Sequence, residues 1–198
     1  TKLANPGCFA TAIQIGLLPL AAAGLLKNEI HTNGITGSTG AGVKPGATSH
    51  FSWRNNNISI YKAFTHQHLI EIGMTIRNLQ PAFDKDINFL PVRGDFSRGI
   101  YVSQYTECDL DEEAATKLYK DFYKDSAFTF VMDKNPDLKQ VVNTNKGIVH
   151  VEKHGNKLLI ISMIDNLLKG ASGQAVQNFN LMFGLDEKMG LNLKSVAF

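Results

Sequence analysis

The sequence predicts a mixed α/β domain of the α+β kind, and three observations lead there. Helical and strand patterns interleave without the regular βαβ repeat that announces a parallel nucleotide-binding sheet. Two apolar arms within residues 147–165 read as a hairpin around His154-Gly155-Asn156. The length, 198 residues with 43% hydrophobic content, suffices to bury one full core.

The elements follow in order. Residues 9–27 are rich in Ala, Leu and Ile with no breaker before Pro19, which predicts a largely buried helix that Pro19 bends or divides. Residues 34–46 read as a short β-prone start running into a glycine-rich loop. Residues 57–64, NISIYKAF, alternate as a strand does. In THQHLIEIGMTIRNLQP, Leu69, Ile72, Ile76 and Leu79 fall at helical spacing until Pro81 stops them, so this helix is entered through two histidines. INFLPV and GIYVSQYTEC are strand candidates separated by the turn RGDFSR. Residues 109–125 form an amphipathic helix with acids in its first turn and lysines later, as the helix dipole favours. AFTFVM adds a strand before the hairpin, and a helix over residues 172–184 closes the main body. No internal repeat or low-complexity segment is seen.

Charge and composition narrow the function classes. Twenty Lys and Arg against eighteen Asp and Glu leave +2, with no dense basic run, so neither a nucleic acid nor a membrane surface is an expected partner. The two cysteines, Cys8 and Cys108, are far apart and belong to no CxxC or zinc pattern, which predicts free thiols in a reducing, cytoplasmic compartment. Gln14, Gly16 and Pro19 interrupt the best apolar run, and Pro6-Gly7-Cys8 breaks any signal-peptide pattern. The chain begins without Met and enters a motif within a few residues, which suggests a piece of a longer polypeptide.

That motif is LANPGCFATAIQIGLLP. A cysteine at a helix N-terminus meets unpaired backbone N–H groups and the positive end of the dipole, conditions that favour the nucleophilic thiolate. Gly7 permits a tight turn beside it, and the amides of Cys8, Phe9 and Ala10 offer an oxyanion hole. The competing reading is a small buried hydrophobe. Among six histidines, His31, His150 and His154 sit in ordinary polar places, whereas His66 and His68 lie where a strand runs into a helix. No carboxylate or cysteine at ligand spacing joins that pair, so no metal is expected.

Taken together, PGCFAT with Gly16 and Pro19, GSTGAG, HQHLIEI and DNLLKGASGQAVQNFNLMFG resemble the motifs of the N-acyl-γ-glutamyl-phosphate reductases, in order and over nearly the whole chain. These arginine-biosynthesis enzymes reduce an acyl phosphate to an aldehyde with NADPH. The resemblance implies that Cys8 is the nucleophile forming a thioester and His66 the acid/base, with His68 as fallback. It likewise implies that Asn166 and Gly170 lie near the nicotinamide and that Arg98 meets an anionic group of the substrate. Arg54 and Lys44 are weaker candidates. The implied architecture is the catalytic and dimerisation domain shared by glyceraldehyde-3-phosphate and semialdehyde dehydrogenases, residues 1–184, followed by a tail over 185–198.

Departures accompany the match. NFLPVRGDFSRGI lacks the family's His-x-x-Pro element, and Val43 stands where a basic residue is common. The glycine-rich strand–turn–helix of a Rossmann-type domain is missing, so NADP(H) is expected only together with an absent N-terminal domain, against which the last helix would pack. The partners expected are a small acyl phosphate and further copies of the chain, as a homo-oligomer. Two other readings stay open: a Cys-His hydrolase or acyltransferase without nicotinamide, and a non-catalytic assembly domain.

Overall fold

A computed structural model describes residues 2–196. Its spine is α1 (Cys8–Ala22), apolar on every side and accordingly buried along most of its length. It ends five residues short of the predicted boundary because Gly24 turns left-handed at φ +69°. Pro19 lies inside the helix, which continues through it. The proline has no N–H for the carbonyl of Ile15, and the Tyr123 hydroxyl donates to that oxygen instead at 2.6 Å. Three neighbouring carbonyls are held likewise: Ala12 by Ser162 Oγ at 2.6 Å, Ile13 by Gln104 Nε2 at 3.1 Å and Gly16 by the Tyr119 hydroxyl at 2.6 Å.

Beneath the helix lies one seven-stranded sheet. Its strands are β1 (Ile30–Thr36), β2 (Ser59–Ile60), β3 (Ile87–Arg93), β4 (Ile100–Glu107), β5 (Thr129–Val131), β6 (Gly147–His154) and β7 (Lys157–Ile164). They run in the order β2-β3-β1-β4-β7-β6-β5, parallel for β1 with β3 and for β5 with β6, antiparallel elsewhere. This is the mixed sheet expected, and the β6–β7 hairpin turns at Gly155, whose φ is +58°. Strand β1 begins four residues before the predicted start, since His31 and Asn33 face away from the core and mask the alternation. Of the strand expected over 57–64 only Ser59 and Ile60 pair in the ladder with β3, because Lys62 and Phe64 adopt φ of +46° and +59° and break the extension, although the amides of Tyr61 and Phe64 still donate to the carbonyls of Pro91 and Phe89.

Three helices cover one face of the sheet: α1 across β4, β6 and β7, with α3 (His68–Leu79) and α4 (Glu112–Tyr123) on its flanks. Asp111 caps α4 by accepting from the Ala114 amide at 2.8 Å. The short α2 (Phe51–Arg54) sits in the long loop after β1. The opposite sheet face, with Leu90, Leu159 and Tyr105, is only partly covered. A π-helical turn over Leu168–Ser172 leads into α5 (Gly173–Met182), so the closing helix is shorter than the 172–184 predicted. Beyond it, the segment expected as a tail packs back: Leu191 is buried, and Asn180 donates to the carbonyls of Glu187 and Met189.

Replacing Tyr123 with Phe leaves the Ile15 carbonyl without a donor in the core. We expect Tyr123→Phe to lower unfolding free energy by about 1–3 kcal/mol. A urea titration showing an unchanged midpoint would contradict this account of Pro19.

Candidate active site

Cys8 opens α1, with Gly7 as an N-cap that has no side chain to satisfy the helix end. The first intrahelical bond runs from the Thr11 amide to Gly7 O at 2.9 Å, so the amides of Cys8, Phe9 and Ala10 have no intrahelical partner. Those of Phe9 and Cys8 interact with the Cys8 sulfur and pull its pKa down. Burial acts more strongly in the other direction, with the charge of Glu71 adding to it, and the thiol lies above its ordinary value. The depressed pKa expected from the helix terminus is thereby corrected: with no cation against the sulfur, desolvation outweighs two amides. Cys108 is buried, and neither cysteine is in a disulfide.

Two glycines make room for the sulfur. A Cβ on Gly170 would come within 2.8 Å of Cys8 Cβ and 3.2 Å of Cys8 Cα, so the π-helical turn rests directly on the start of α1. A Cβ on Gly7 would meet His68 Nε2 at 2.3 Å. The Gly7 amide donates to Glu71 Oε2 at 3.1 Å, and the other oxygen of that carboxylate stands 3.8 Å from His68 Nε2. Glu71 therefore ties the start of α1 to α3 and orients His68, a role sequence reading missed. Its signal was present, since Glu71 falls three residues after His68 and so on the same helical face.

Cys8, His66 and His68 line one cavity of about 280 Å3. His66 is buried, ringed edge-on by Phe9, Tyr61 and Phe89, and its Nδ1 accepts from the His68 amide at 3.2 Å. Accepting there leaves the proton of the neutral ring on Nε2. Desolvation first, then the neighbouring His68 and Lys62, bring its pKa down to about 4. Burial lowers that of His68 as well, against the pull of Glu71, and its Nδ1 is buried without a hydrogen-bond partner.

The remaining sequence-predicted residues fall elsewhere. Asn166 is buried with its amide engaged: Oδ1 accepts from the Gly99 amide at 2.7 Å and Nδ2 donates to Thr39 Oγ1 at 3.0 Å. It fastens two loops together. Arg98 does not line the cavity; its Nε lies 2.7 Å from Asp165 Oδ2 as an ion pair, although the N–H is not aimed at the oxygen. The buried Asp165 also accepts the amides of Asn143, Leu167 and Leu168, so Arg98 neutralises a carboxylate that organises the π-helical turn. Arg54, Lys62 and Arg93 are the cations that line the cavity, whereas Lys44 does not. Among the described residues no cluster of three or more His, Cys, Asp or Glu is arranged to hold a metal ion, and no helix is long and apolar enough to cross a membrane.

A cysteine at a helix terminus above a mixed sheet, sharing one cavity with two histidines, is an arrangement suited to thiol chemistry. A family model described as the semialdehyde dehydrogenase dimerisation domain matches residues 8–166, and the chain belongs to that family. Over 196 residues it is 68% identical to an N-acetyl-gamma-glutamyl-phosphate reductase of Azobacteroides pseudotrichonymphae genomovar. CFP2, covering 99% of this chain and 60% of that protein. The reductase of the same name from Parabacteroides distasonis is 63% identical over 196 residues, with 99% and 61% covered. The chain thus spans about three fifths of the length of these curated relatives. The crystal structure of aspartate semialdehyde dehydrogenase II from Vibrio cholerae superposes with a TM-score of 0.71 at 16% identity, covering 92% of this chain and 62% of that one. At that identity the likeness is one of fold.

Two outcomes follow from this geometry. An unfolded histidine titrates near 6.5 and the folded His66 near 4, so between those values the unfolded state binds more protons and stability falls as pH drops. In urea titrations at pH 7 and pH 5, His66→Gln is expected to lose less stability on acidification than the parent; an equal loss would remove His66 as the cause. Gly170→Ala should destabilise by about 1–3 kcal/mol through overpacking against Cys8, measured by the same titration at neutral pH.

Proposed function

We propose that this chain carries the acyl-transfer half of an N-acetyl-γ-glutamyl-phosphate reductase. The observation that supports this most directly is Cys8 at the head of a buried helix, sharing one cavity with His66 and His68. In this reading His68, oriented by Glu71 and with Nδ1 unpartnered, takes the thiol proton. The Cys8 sulfur then bonds to the acyl carbon of the substrate. The C–O bond to phosphate breaks, and phosphate leaves with the electron pair. The proton taken by His68 passes to the departing phosphate, and His66, neutral at pH 7, can only hold that oxygen with a hydrogen bond from its Nε2–H. The amides at the start of α1 face the charge that develops on the acyl oxygen.

The cofactor of the proposed reaction is NADPH, which when bound supplies the hydride that takes the thioester to the aldehyde. Among the described residues no glycine-rich strand–turn–helix is seen and the Asn166 amide is engaged within the chain, which supports placing the dinucleotide site outside them. We assign that site to the part of the relatives' length that this chain does not span. The apolar side chains of Phe179, Leu181 and Phe183, exposed on and just after α5, suit a surface covered by that part. Self-association through the partly covered sheet face agrees with the family's description as a dimerisation domain. Two free thiols suit a reducing cytoplasmic setting.

Mixed with N-acetyl-γ-glutamyl phosphate and no nicotinamide, the chain should release about one phosphate per Cys8 and then stop. The Cys8 peptide should carry the acyl group, removable by hydroxylamine, and Cys8→Ser should show neither effect. Sustained phosphate release without nicotinamide would make the chain a hydrolase and overturn the proposal.

A further inference from the structure

The cavity beside Cys8 has an unbalanced wall. Three cations, Arg54, Lys62 and Arg93, line it, and no aspartate or glutamate does. None of the three forms an ion pair among the described residues. A half-buried guanidinium without a counter-charge is costly unless something anionic arrives to meet it. The three are not equivalent. Arg54 is buried and committed to the backbone, its Nε donating to Gly94 O at 3.1 Å and Nη2 to Thr36 O at 3.0 Å. Lys62 is exposed and donates to Gln67 Oε1 at 2.9 Å. Asp95, which acts on Arg54 at longer range, already accepts from the Asn56 amide.

Arg93 differs in having most of its fork uncommitted. It ends β3, paired with Thr36 of β1 and Ser59 of β2, where the strand opens into the cavity. Its guanidinium carbon lies 4.2 Å from the centroid of the Tyr61 ring and 5.9 Å from that of Trp53. Among the described residues its one hydrogen bond to a side chain is a long one, from Nη1 to Ser59 Oγ at 3.4 Å. Contact with aromatic rings fixes the plane of a guanidinium while leaving its N–H edge able to take a planar, two-oxygen partner.

We propose that Arg93 is the specificity-determining residue of this cavity, gripping with its N–H edge a carboxylate that the substrate carries away from its reacting carbon. The fork matches two oxygens in a plane, as a carboxylate presents them, and because a phosphoryl group can present the same pair the test below sets the two anions against each other. Arg54 stands behind it as fixed positive charge. The proposal extends the acyl-transfer reading of Cys8 and rests on it for the identity of the substrate, but the anion site has its own readout.

That readout is the rate at which Cys8 of the 198-residue chain is alkylated by iodoacetate relative to iodoacetamide, followed on the Cys8 peptide. Each reagent forms one S–C bond and releases iodide; only the first carries a carboxylate. The ratio divides out changes in the thiol itself. Arg93→Leu should lower it about tenfold, the factor that corresponds to loss of one charge-assisted contact, while Arg77→Leu, on the outer part of α3, should leave the ratio as in the parent. If Arg93→Leu does not fold, Arg93→Gln removes the charge and keeps the stem. N-acetylglutamate should slow carboxymethylation of the parent, and inorganic phosphate at equal concentration should not. An unchanged ratio in the Arg93 variants, or protection by phosphate alone, would overturn the proposal. Failure of Cys8 to be acylated by the acyl phosphate, with the iodoacetate preference intact, would instead sink the reductase reading and leave the anion site standing.

Discussion

The burial of α1 with its carbonyls held from outside is the constraint on which the rest depends. A helix that is apolar all round is stable only inside a protein, and one carrying a proline has a backbone oxygen to satisfy there. Tyr119 and Tyr123 from α4, Gln104 from β4 and Ser162 from β7 meet that need from three separate elements. The sheet and the outer helix are thereby locked to one rigid shaft. Its N-terminus carries Cys8, so the accuracy of the whole assembly is delivered at the sulfur.

Around that terminus, polar groups do double duty between structure and chemistry. Glu71 accepts the Gly7 amide and stands against His68, so the same carboxylate seats the helix and orients an imidazole. Gly170 lets the π-helical turn press on Cys8, while Asp165 organises that turn and is itself neutralised by Arg98. The sulfur is held by close packing on one side and faces an uncompensated positive wall across the cavity. Burial raises its pKa, and the amides at the head of α1 offset only part of that rise.

Much of this was legible in the residues. The helix starting at Cys8, the entry through His66 and His68, the α4 pattern and the β6–β7 hairpin all follow local rules of period and capping, and each stands within a few residues of its predicted place. What was not legible there shares a cause. The strand expected over 57–64 stopped at Ile60 because left-handed residues at Lys62 and Phe64 are imposed by the turn into the cavity. Arg98 and Arg93 sit five residues apart around one turn, and no local pattern says which of two arginines faces a carboxylate and which faces open space. Nor does the sequence around Asn166 show that Gly99 and Thr39, distant in the chain, engage both ends of its amide.

By itself, the sequence determined the mixed α/β class, the helical setting of Cys8, the pair of histidines and the family resemblance, because periodicity, capping and motif order are properties of neighbours along the chain. Only the tertiary structure decided the charge state of that cysteine, the tautomer of His66, the bridging role of Glu71 and which of Arg93 and Arg98 lines the cavity. Those depend on desolvation and on partners tens of residues away, and neither quantity exists until the chain has folded.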